Sequence, residues 1–263
     1  MVSIEKELCV GCGACVSDCP GRAIKIEEGT AEVTRPCIEC GHCVAICPVK
    51  AVSIPEFDME DVEDYEPETF AVAPENFLHA VKFRRSIRNF KAQPMEKEKL
   101  ERILDAGRYT PTARNTQGCT FVLVQDQLEA FKELVWEEVP VVAEKLKEQL
   151  PVYAKMFGGF YRRWKDDHSR DGLFFNTTSF ILIASDNLWD AGMAAANMEN
   201  MAVAEGGGML YSGYLQRIIA ASPKLKEWLG IGEKPVCCCM LLGYPAVSYE
   251  RTAPRKKADI IWK

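Results

Sequence analysis

Long apolar runs are missing from this sequence. No stretch reaches the roughly 18 uncharged residues that a membrane-spanning helix needs. The first ten residues, MVSIEKELCV, also lack the basic region followed by an apolar region that is typical of a secretory signal. We therefore expect a cytoplasmic protein with no membrane partner.

Basic charge is scarce and unevenly distributed. The net charge is −6 and the pI is about 5.3, without a basic stripe, so a nucleic-acid partner is not expected. Residues 58–75 hold eight acidic and no basic side chains, whereas residues 76–263 hold 27 basic and 22 acidic ones. The excess of positive charge in the second part suits an anionic ligand such as a phosphate, or docking of the acidic first part; ordinary surface variation is the alternative.

Two further features are rare or missing. No G-x-G-x-x-G stands between a predicted strand and a predicted helix, so a separate nicotinamide-binding domain is not expected. There are three histidines, and none has a partner at the spacing of a known motif. His42 is interpreted as a solvated neighbour of the cysteines around it, and His79 and His168 as surface or core residues.

Cysteine, by contrast, is abundant, with 12 residues. Eight of them form two runs of the pattern C-x2-C-x2-C-x3-C-P, and the second run repeats the first after 28 residues. A [4Fe-4S] cube needs four thiolates, one for each iron. Zinc, the alternative, favours four ligands in two separated pairs. The spacing therefore indicates two iron–sulfur clusters.

Residues 1–57 resemble the bacterial two-cluster ferredoxins, and they span nearly all of that family's length. The resemblance implies that the fourth cysteine of each run binds the other run's cluster. One cluster would then be bound by Cys9, Cys12, Cys15 and Cys47, and the other by Cys37, Cys40, Cys43 and Cys19. Such clusters transfer one electron at a time.

The rest of the chain divides into a linker and a body. Residues 58–75 are acidic and lack periodicity, which predicts an extended linker. Residues 76–263 have a few apolar strands among many helices, which predicts an α+β body with a mostly antiparallel sheet flanked by helices. Helices are predicted at 77–88, 96–109, 127–149 with a break at Pro140, 190–205 and from Ser222 onward; strands are predicted at 23–26, 31–33, 120–124, 179–184 and 236–242.

Five motifs occur in order along this body: RRSIR at 84–88, PTARNTQ at 111–117, GGGMLYSG at 206–213, LGYP at 242–245 and RKK at 255–257. Arginine suits phosphate binding because its donors are fixed and bidentate. A solvated basic helix face is the alternative for the first motif taken alone. Together the five motifs resemble the FMN-dependent nitroreductase family.

The resemblance implies a homodimer with FMN at its interface, and it assigns residues to the flavin. The phosphate would be held by Arg84 and Ser86, with charge added by Arg255 or Lys256. The ring and ribityl would be contacted by Arg85, Arg88, Thr112, Asn115, Tyr211, Ser212 and Gly213. Because the flavin supplies the chemistry, no catalytic residue is expected.

The segment at 153–175 is rich in aromatic residues around Gly158-Gly159. Some nitroreductases use this region as a lid over the flavin. Candidate pocket residues are Phe157, Phe160, Tyr161 and Trp164, and helix packing is the alternative. Cys119 and Cys237–Cys239 are interpreted as core residues, because successive residues on a strand point to opposite faces and do not readily share an ion.

The favoured function is electron transfer from the clusters, or from NAD(P)H, through FMN to an organic acceptor such as a nitroaromatic or a quinone. An external low-potential protein is a candidate electron donor, and an anaerobic host fits the clusters. Two alternatives stay open. One is an electron carrier or redox sensor that serves a protein partner, and the other is a reductive dehalogenase-type flavoenzyme of the same fold.

Overall fold

The computed structural model describes residues 1–263, which form two units. The first unit contains Met1–Ala71 together with Thr112–Gln117, and the second contains Val72–Pro111 and Gly118–Lys263. No helix in the chain combines the length and the apolar character that crossing a bilayer requires.

The first unit consists of short elements around cysteine loops. Its elements are β1 (Ser3–Ile4), α1 (Ala14–Ser17), β2 (Ile24–Glu27), β3 (Thr30–Val33), α2 (His42–Ala45), β4 (Val52–Ser53), α3 (Pro67–Phe70) and a 3₁₀ turn (Ala113–Asn115). The strands β1 and β4 pair antiparallel, and β2 and β3 form a hairpin. The hairpin confirms the two strands predicted around Gly29. Helix α3 is a short helix within residues 58–75, which were predicted to be an extended linker.

The second unit is built around a four-stranded antiparallel sheet. Its strands are β5 (Thr120–Val124), β6 (Ser179–Ala184), β7 (Gly208–Tyr211) and β8 (Val236–Gly243), in the order β5-β6-β8-β7. Its helices are α4 (Pro74–Phe83), α5 (Lys97–Arg108), α6 (Leu128–Lys145), α7 (Pro151–Asp166), α8 (Leu188–Ala204), α9 (Gly213–Ala221) and α10 (Pro223–Trp228). The expected α+β class is confirmed.

Both faces of this sheet are covered, so β6 is buried along its whole length. Phe180 and Leu182 point into a core shared with α6, α7, α9 and α10. Ile181 and Ile183 point into a second core shared with α5 and α8. A strand buried on both faces is continuously apolar, which explains why this strand was predicted with the correct bounds.

Two predicted helices differ from the structure. Helix α4 ends at Phe83, so the RRSIR motif at 84–88 is extended chain rather than helix. Helix α6 continues through Pro140, where a break was predicted. Val139 and Val142 are buried on either side of this proline, and their packing offsets the missing backbone hydrogen bond.

Candidate functional site

The cysteine loops of the first unit are shaped by residues in left-handed conformation. Gly13 and Gly41 precede α1 and α2 with φ of 74° and 77°, in register with the 28-residue repeat. Gly11 has φ of 65°, and a Cβ placed on it would lie 2.3 Å from the carbonyl oxygen of Gly29. Only glycine therefore allows the first loop to approach the β2–β3 hairpin this closely.

One cavity of about 330 Å³, including its opening to solvent, lies within this unit. Its other lining residues are mostly apolar, among them Ile26, Pro48 and Val52. The cysteines that line it are Cys9, Cys12, Cys15 and Cys47. Three of these come from the first run and one from the second, which is the interleaved set that the ferredoxin resemblance implies.

Backbone amides donate to four of the cysteine sulfurs, and two of these bonds follow the 28-residue repeat. Ala23 N donates to Cys19 Sγ at 3.2 Å, and 28 residues later Ala51 N donates to Cys47 Sγ at 3.3 Å. Ala31 N donates to Cys9 Sγ, and Glu39 N to Cys37 Sγ, both at 3.3 Å. Such bonds stabilise negative charge on sulfur, as an iron–sulfur site requires.

The surroundings shift the pKa values of the cysteine thiols in two directions. Hydrogen bonds from the backbone of Ala31 and Gly11 lower the pKa of Cys9. Burial raises the pKa of the Cys43 thiol to about 11 and also raises that of Cys15. Nowhere do three His, Cys, Asp or Glu side chains converge as ligands of a single ion. Because a cube binds its thiolates at four separate corners, the four cysteines that line the cavity suit a [4Fe-4S] cluster.

In the second unit, three of the predicted motifs lie side by side. Ile87 N donates to Met209 O of β7 at 3.0 Å, and Phe90 forms a bridge with Pro245. A Cβ on Gly208 would lie 2.5 Å from Ile87 Cγ1, so this glycine allows the segment at 84–90 to pack on β7. The apolar residues in this basic segment, Ile87 and Phe90, were a sequence signal that it packs on the sheet, and the prediction of a helix missed that signal.

Arg84 is paired inside this unit. Its Nη1 donates to Glu199 Oε1 of α8 at 3.1 Å, and the Glu199 side chain is buried, with 8% of its surface exposed. Loss of hydration raises the pKa of Glu199, and the positive charge of Arg84 opposes that rise. Loss of hydration also raises the pKa of Tyr211, and the nearby Glu199 carboxylate adds to the rise.

The other residues assigned to the flavin are placed as follows. Ser86 and Arg88 are exposed, and the Arg85 guanidinium lies 5.8 Å from the Tyr249 ring centroid. Ser212 caps α9 by accepting a hydrogen bond from Leu215 N, and Gly213 begins that helix. The exposed C-terminal segment carries Arg255 and Lys256.

Thr112 and Asn115 lie in the first unit rather than the second. Thr112 Oγ1 accepts a hydrogen bond from Gln117 N at 2.9 Å. The Asn115 side-chain amide donates to Glu39 O at 2.9 Å and to Ile38 O at 3.3 Å. The partners that the structure gives Asn115 are therefore backbone groups between two cysteines.

The aromatic residues of α7 pack against neighbouring elements. Phe157 is fully buried and contacts Tyr214, so packing is the role that the structure shows for it. Trp164 stacks on Trp136 with ring centroids 4.8 Å apart and a 5° interplanar angle. Phe160, Tyr161 and Trp164 are partly exposed, and His168 stacks on Trp164 at 4.3 Å.

The prediction that successive cysteines on this strand point to opposite faces is wrong for Cys237 and Cys238. A register shift at Ile183/Ala184 interrupts the pairing of β6 with β8. As a result Cys237 and Cys238 pack against the same core, the one that Cys119 also contacts, while Cys239 is buried in the other core. Burial raises the pKa of Cys238 to about 11 and that of Cys239 well above its ordinary value, in keeping with thiols that fill the core.

Comparisons with known proteins agree with this division. The model of a family described as the nitroreductase family matches residues 81–244, and that of a 4Fe-4S dicluster domain matches residues 1–48. A comparison with curated proteins finds no match.

Several solved structures share the fold of the second unit. A nitroreductase with bound FMN from Desulfitobacterium hafniense has 21% identity and a TM-score of 0.56, covering 70% of this chain and 97% of its own. One with bound FMN from Bacteroides fragilis has 20% identity and a TM-score of 0.55, with 70% and 98% covered. An FMN-dependent nitroreductase from Clostridium difficile has 18% identity and a TM-score of 0.54, with 72% and 100% covered.

Proposed function

Because the chain belongs to the nitroreductase family, we propose that it is an FMN-dependent oxidoreductase that carries two [4Fe-4S] clusters and reduces a small organic acceptor. A nitroaromatic or a quinone is the acceptor class that the resemblance suggests. The observation that carries the proposal is the packing of the basic segment at 84–90 on β7, in a chain whose other unit gathers four cysteines around one cavity. Thiols that bind iron are kept reduced in the cytoplasm, where we place the protein.

The proposal assigns the eight cysteines to two interleaved sets. The cavity supports the first set, Cys9, Cys12, Cys15 and Cys47. The hydrogen bonds to Cys19 and Cys37 support the second set, which Cys40 and Cys43 complete. Amide donors at the sulfurs favour the more negative, reduced state, so the backbone of this unit tunes the potential at which electrons enter or leave.

The proposal assigns the basic segment and the start of α9 to FMN. When bound, FMN supplies an exchange of either one or two electrons, which connects a one-electron cluster to a two-electron acceptor. Arg84 and Ser86 would bind its phosphate, with Arg255 or Lys256 adding charge. Arg88 would place positive charge beside the pyrimidine edge, where reduction of the ring adds negative charge. Further contacts are assigned to Arg85, Thr112, Asn115, Tyr211, Ser212 and Gly213.

Arg84→Ala tests the phosphate assignment. Loss of a charge-assisted hydrogen bond costs about 1.5–3 kcal/mol, so FMN affinity should fall by roughly tenfold or more. Arg102→Ala is the matched control, because Arg102 also pairs with a glutamate, Glu205, but lies outside the basic segment. Fluorescence titration of the flavin-free protein measures both affinities. Equal affinities in the two variants would remove Arg84 from the phosphate site.

A homodimer is part of the proposal. Helix α4 buries none of its residues in the single chain and exposes Phe77, Leu78, Val81 and Phe83. The C-terminal segment exposes Ile260, Ile261 and Trp262. Apolar surface of this extent is typical of an interaction site, and a second copy of the chain would cover it. Sedimentation of the loaded protein should therefore give about twice the 29.5 kDa of one chain.

The direction of electron flow is tested by an anaerobic titration of the loaded protein. NADPH, NADH and then a low-potential one-electron donor are added, while flavin and cluster absorbance are followed together. If only the low-potential donor works, and the clusters are reduced before or with FMN, the first unit is the entry port and an external donor protein is required. Rapid bleaching of FMN by a nicotinamide would instead make NAD(P)H the donor and overturn entry through the clusters.

A further inference from the structure

The segment Thr112–Gln117 belongs structurally to the cysteine-rich unit, although in sequence it lies between α5 and β5. The side-chain nitrogen of Asn115, Nδ2, donates to two backbone carbonyl oxygens, that of Glu39 at 2.9 Å and that of Ile38 at 3.3 Å. These two peptides lie between Cys37 and Cys40. Asn115 therefore contacts the loop that holds two proposed ligands of the second cluster.

The internal repeat shows why that loop needs an outside partner. Glu39 stands 28 residues after Gly11, and both are left-handed, with φ of 52° and 65°. In the first copy the position is glycine and lies against Gly29 of the β2–β3 hairpin. In the second copy it is a glutamate, for which the left-handed conformation is unfavourable.

In the first copy the hairpin also donates a hydrogen bond to a cysteine sulfur, from Ala31 N to Cys9 Sγ. The residue 28 positions after Ala31 is Met59, whose sulfur accepts a hydrogen bond from Ile54 N instead. The second copy keeps the other bond: Glu39 N donates to Cys37 Sγ at 3.3 Å, as the backbone of Gly11 does to Cys9 in the first copy. Glu39 thus takes part in two hydrogen bonds. Its carbonyl oxygen accepts from Asn115, and its N–H donates to Cys37.

Internal hydrogen bonds fix the conformation of the segment Thr112–Gln117 and the position of the Asn115 side-chain amide. Asn115 N donates to Thr112 O at 3.0 Å, and Gln117 N donates to Thr112 Oγ1 at 2.9 Å. Arg114, Asn115 and Gln117 all have positive φ, between 48° and 56°. The side chain of Asn115 is thus held by a constrained turn rather than by a freely moving loop.

We propose that Asn115 is a positioning residue of the second cluster, which holds the Ile38–Glu39 peptides so that the Glu39 N–H points at Cys37 Sγ. An amide donor at a ligand sulfur stabilises the reduced cluster, so Asn115 raises the reduction potential of that cluster and leaves the first cluster unaffected. The inference rests on the proposed function in one respect, that Cys37 binds an iron–sulfur cluster.

The test uses the full-length protein purified anaerobically, with Asn115→Ala compared with Thr116→Ala, an exposed neighbour in the same segment. Both clusters are followed by electron paramagnetic resonance during a potentiometric titration, and iron and FMN are counted. At a fixed potential, the ratio of reduced to oxidised form of one cluster should be at least threefold lower in N115A than in the unmodified protein. This corresponds to a fall of about 30 mV in the reduction potential of that cluster, at 59 mV per tenfold change in the ratio. The other cluster, and both clusters of T116A, should match the unmodified protein.

Loss of the second cluster alone from N115A, with FMN retained, would also support the proposal. If N115A does not fold, Asn115→Gln, which keeps the amide on a longer arm, is measured for the same one-cluster shift. Unchanged potentials of both clusters would overturn the proposal, and FMN loss without such a shift would leave Asn115 as a flavin contact alone. Failure of the proposed function would look different, because the unmodified protein would then lack the clusters or FMN.

Discussion

Single glycines allow the first cysteine loop and the basic segment to pack closely against neighbouring parts of their own units. Gly11 lies where any Cβ would overlap the Gly29 carbonyl, and Gly208 lies where a Cβ would overlap Ile87. At both positions the backbone of one motif approaches another part of its own unit. These glycines are thus required by close approach, whereas Gly13 is required only by its positive φ.

Gly11→Ala should therefore remove the first cluster. The added methyl forces the loop away from the hairpin and with it the Cys9 and Cys12 thiolates. Gly13→Ala is the control, because no atom lies within 4 Å of its added Cβ and only the left-handed conformation is penalised, by about 1–2 kcal/mol. Iron analysis should give about four irons per chain for G11A and about eight for G13A. Eight irons in G11A would contradict the assigned loop geometry.

Glu199 gives the second unit a pH dependence. Its pKa in the folded protein is raised above 4.5, so the folded state holds the proton more tightly than the unfolded state does. The stability from this group is therefore present below pH 4.5 and is lost as pH rises through the folded pKa. In Glu199→Gln no charge is buried, so the stability of this variant relative to the unmodified protein should increase across that range.

Thermal unfolding at a series of pH values from about 4 upward measures this difference. Asp105→Asn is a suitable control, since Asp105 pairs with Arg108 at an exposed position on α5. A difference between E199Q and the unmodified protein that stays constant with pH would contradict a raised pKa at Glu199.

At the scale of elements, packing overrides local signals in α6. Proline inside a helix removes one hydrogen bond and clashes with the preceding turn, at a cost of about 3 kcal/mol. Helix α6 tolerates Pro140 because Val139 and Val142 are buried and because Trp136, one turn earlier, stacks on Trp164 of α7. The helix is held by its contacts with α7 and the sheet rather than by its own propensity.

Pro140→Ala should stabilise the second unit. Restoring the hydrogen bond and relieving the clash should add roughly 1–2 kcal/mol to the free energy of unfolding, which raises the melting temperature by several degrees in a domain of this size. Pro151→Ala is the matched control, because Pro151 lies at the start of α7, where proline is favourable. Calorimetry of both variants is the measurement, and a lower melting temperature for P140A would contradict a net cost of the proline in α6.

On the scale of the whole molecule, the two units differ in how they are stabilised. The core of the first unit is small and consists of a few aliphatic residues together with cysteines, such as Val2, Ile24, Ile54 and Cys15. A core of that size rarely sustains a fold without metal or disulfides. The second unit has two large cores, one on each face of its sheet.

Removal of iron should therefore unfold only the first unit. Treating the loaded protein with a chelator under oxidising conditions should abolish cluster absorbance and the protection of residues 1–71 from proteolysis. The helical circular dichroism signal and bound FMN should persist, because the long helices lie in the second unit. A parallel loss of the helical signal would contradict independent stabilisation of the two units.

The sequence by itself determined the features whose signals are local. The spacing of the eight cysteines, the continuous apolar runs of β5 and β6, and the Ser222-Pro223 start of α10 each lie within a few residues, and each was predicted correctly as an element or a motif. The ligands of each cluster and the residues of the flavin site remain predictions.

Only the tertiary structure decided the features that depend on distant partners. Strand β7 was missed because its Gly-rich sequence has weak strand preference and forms by pairing with β8. The bulge that turns Cys237 and Cys238 toward one core depends on β6, and the position of Asn115 depends on carbonyls 76 and 77 residues earlier in the chain. Such contacts leave no local pattern, because their energy arises only when separate segments meet.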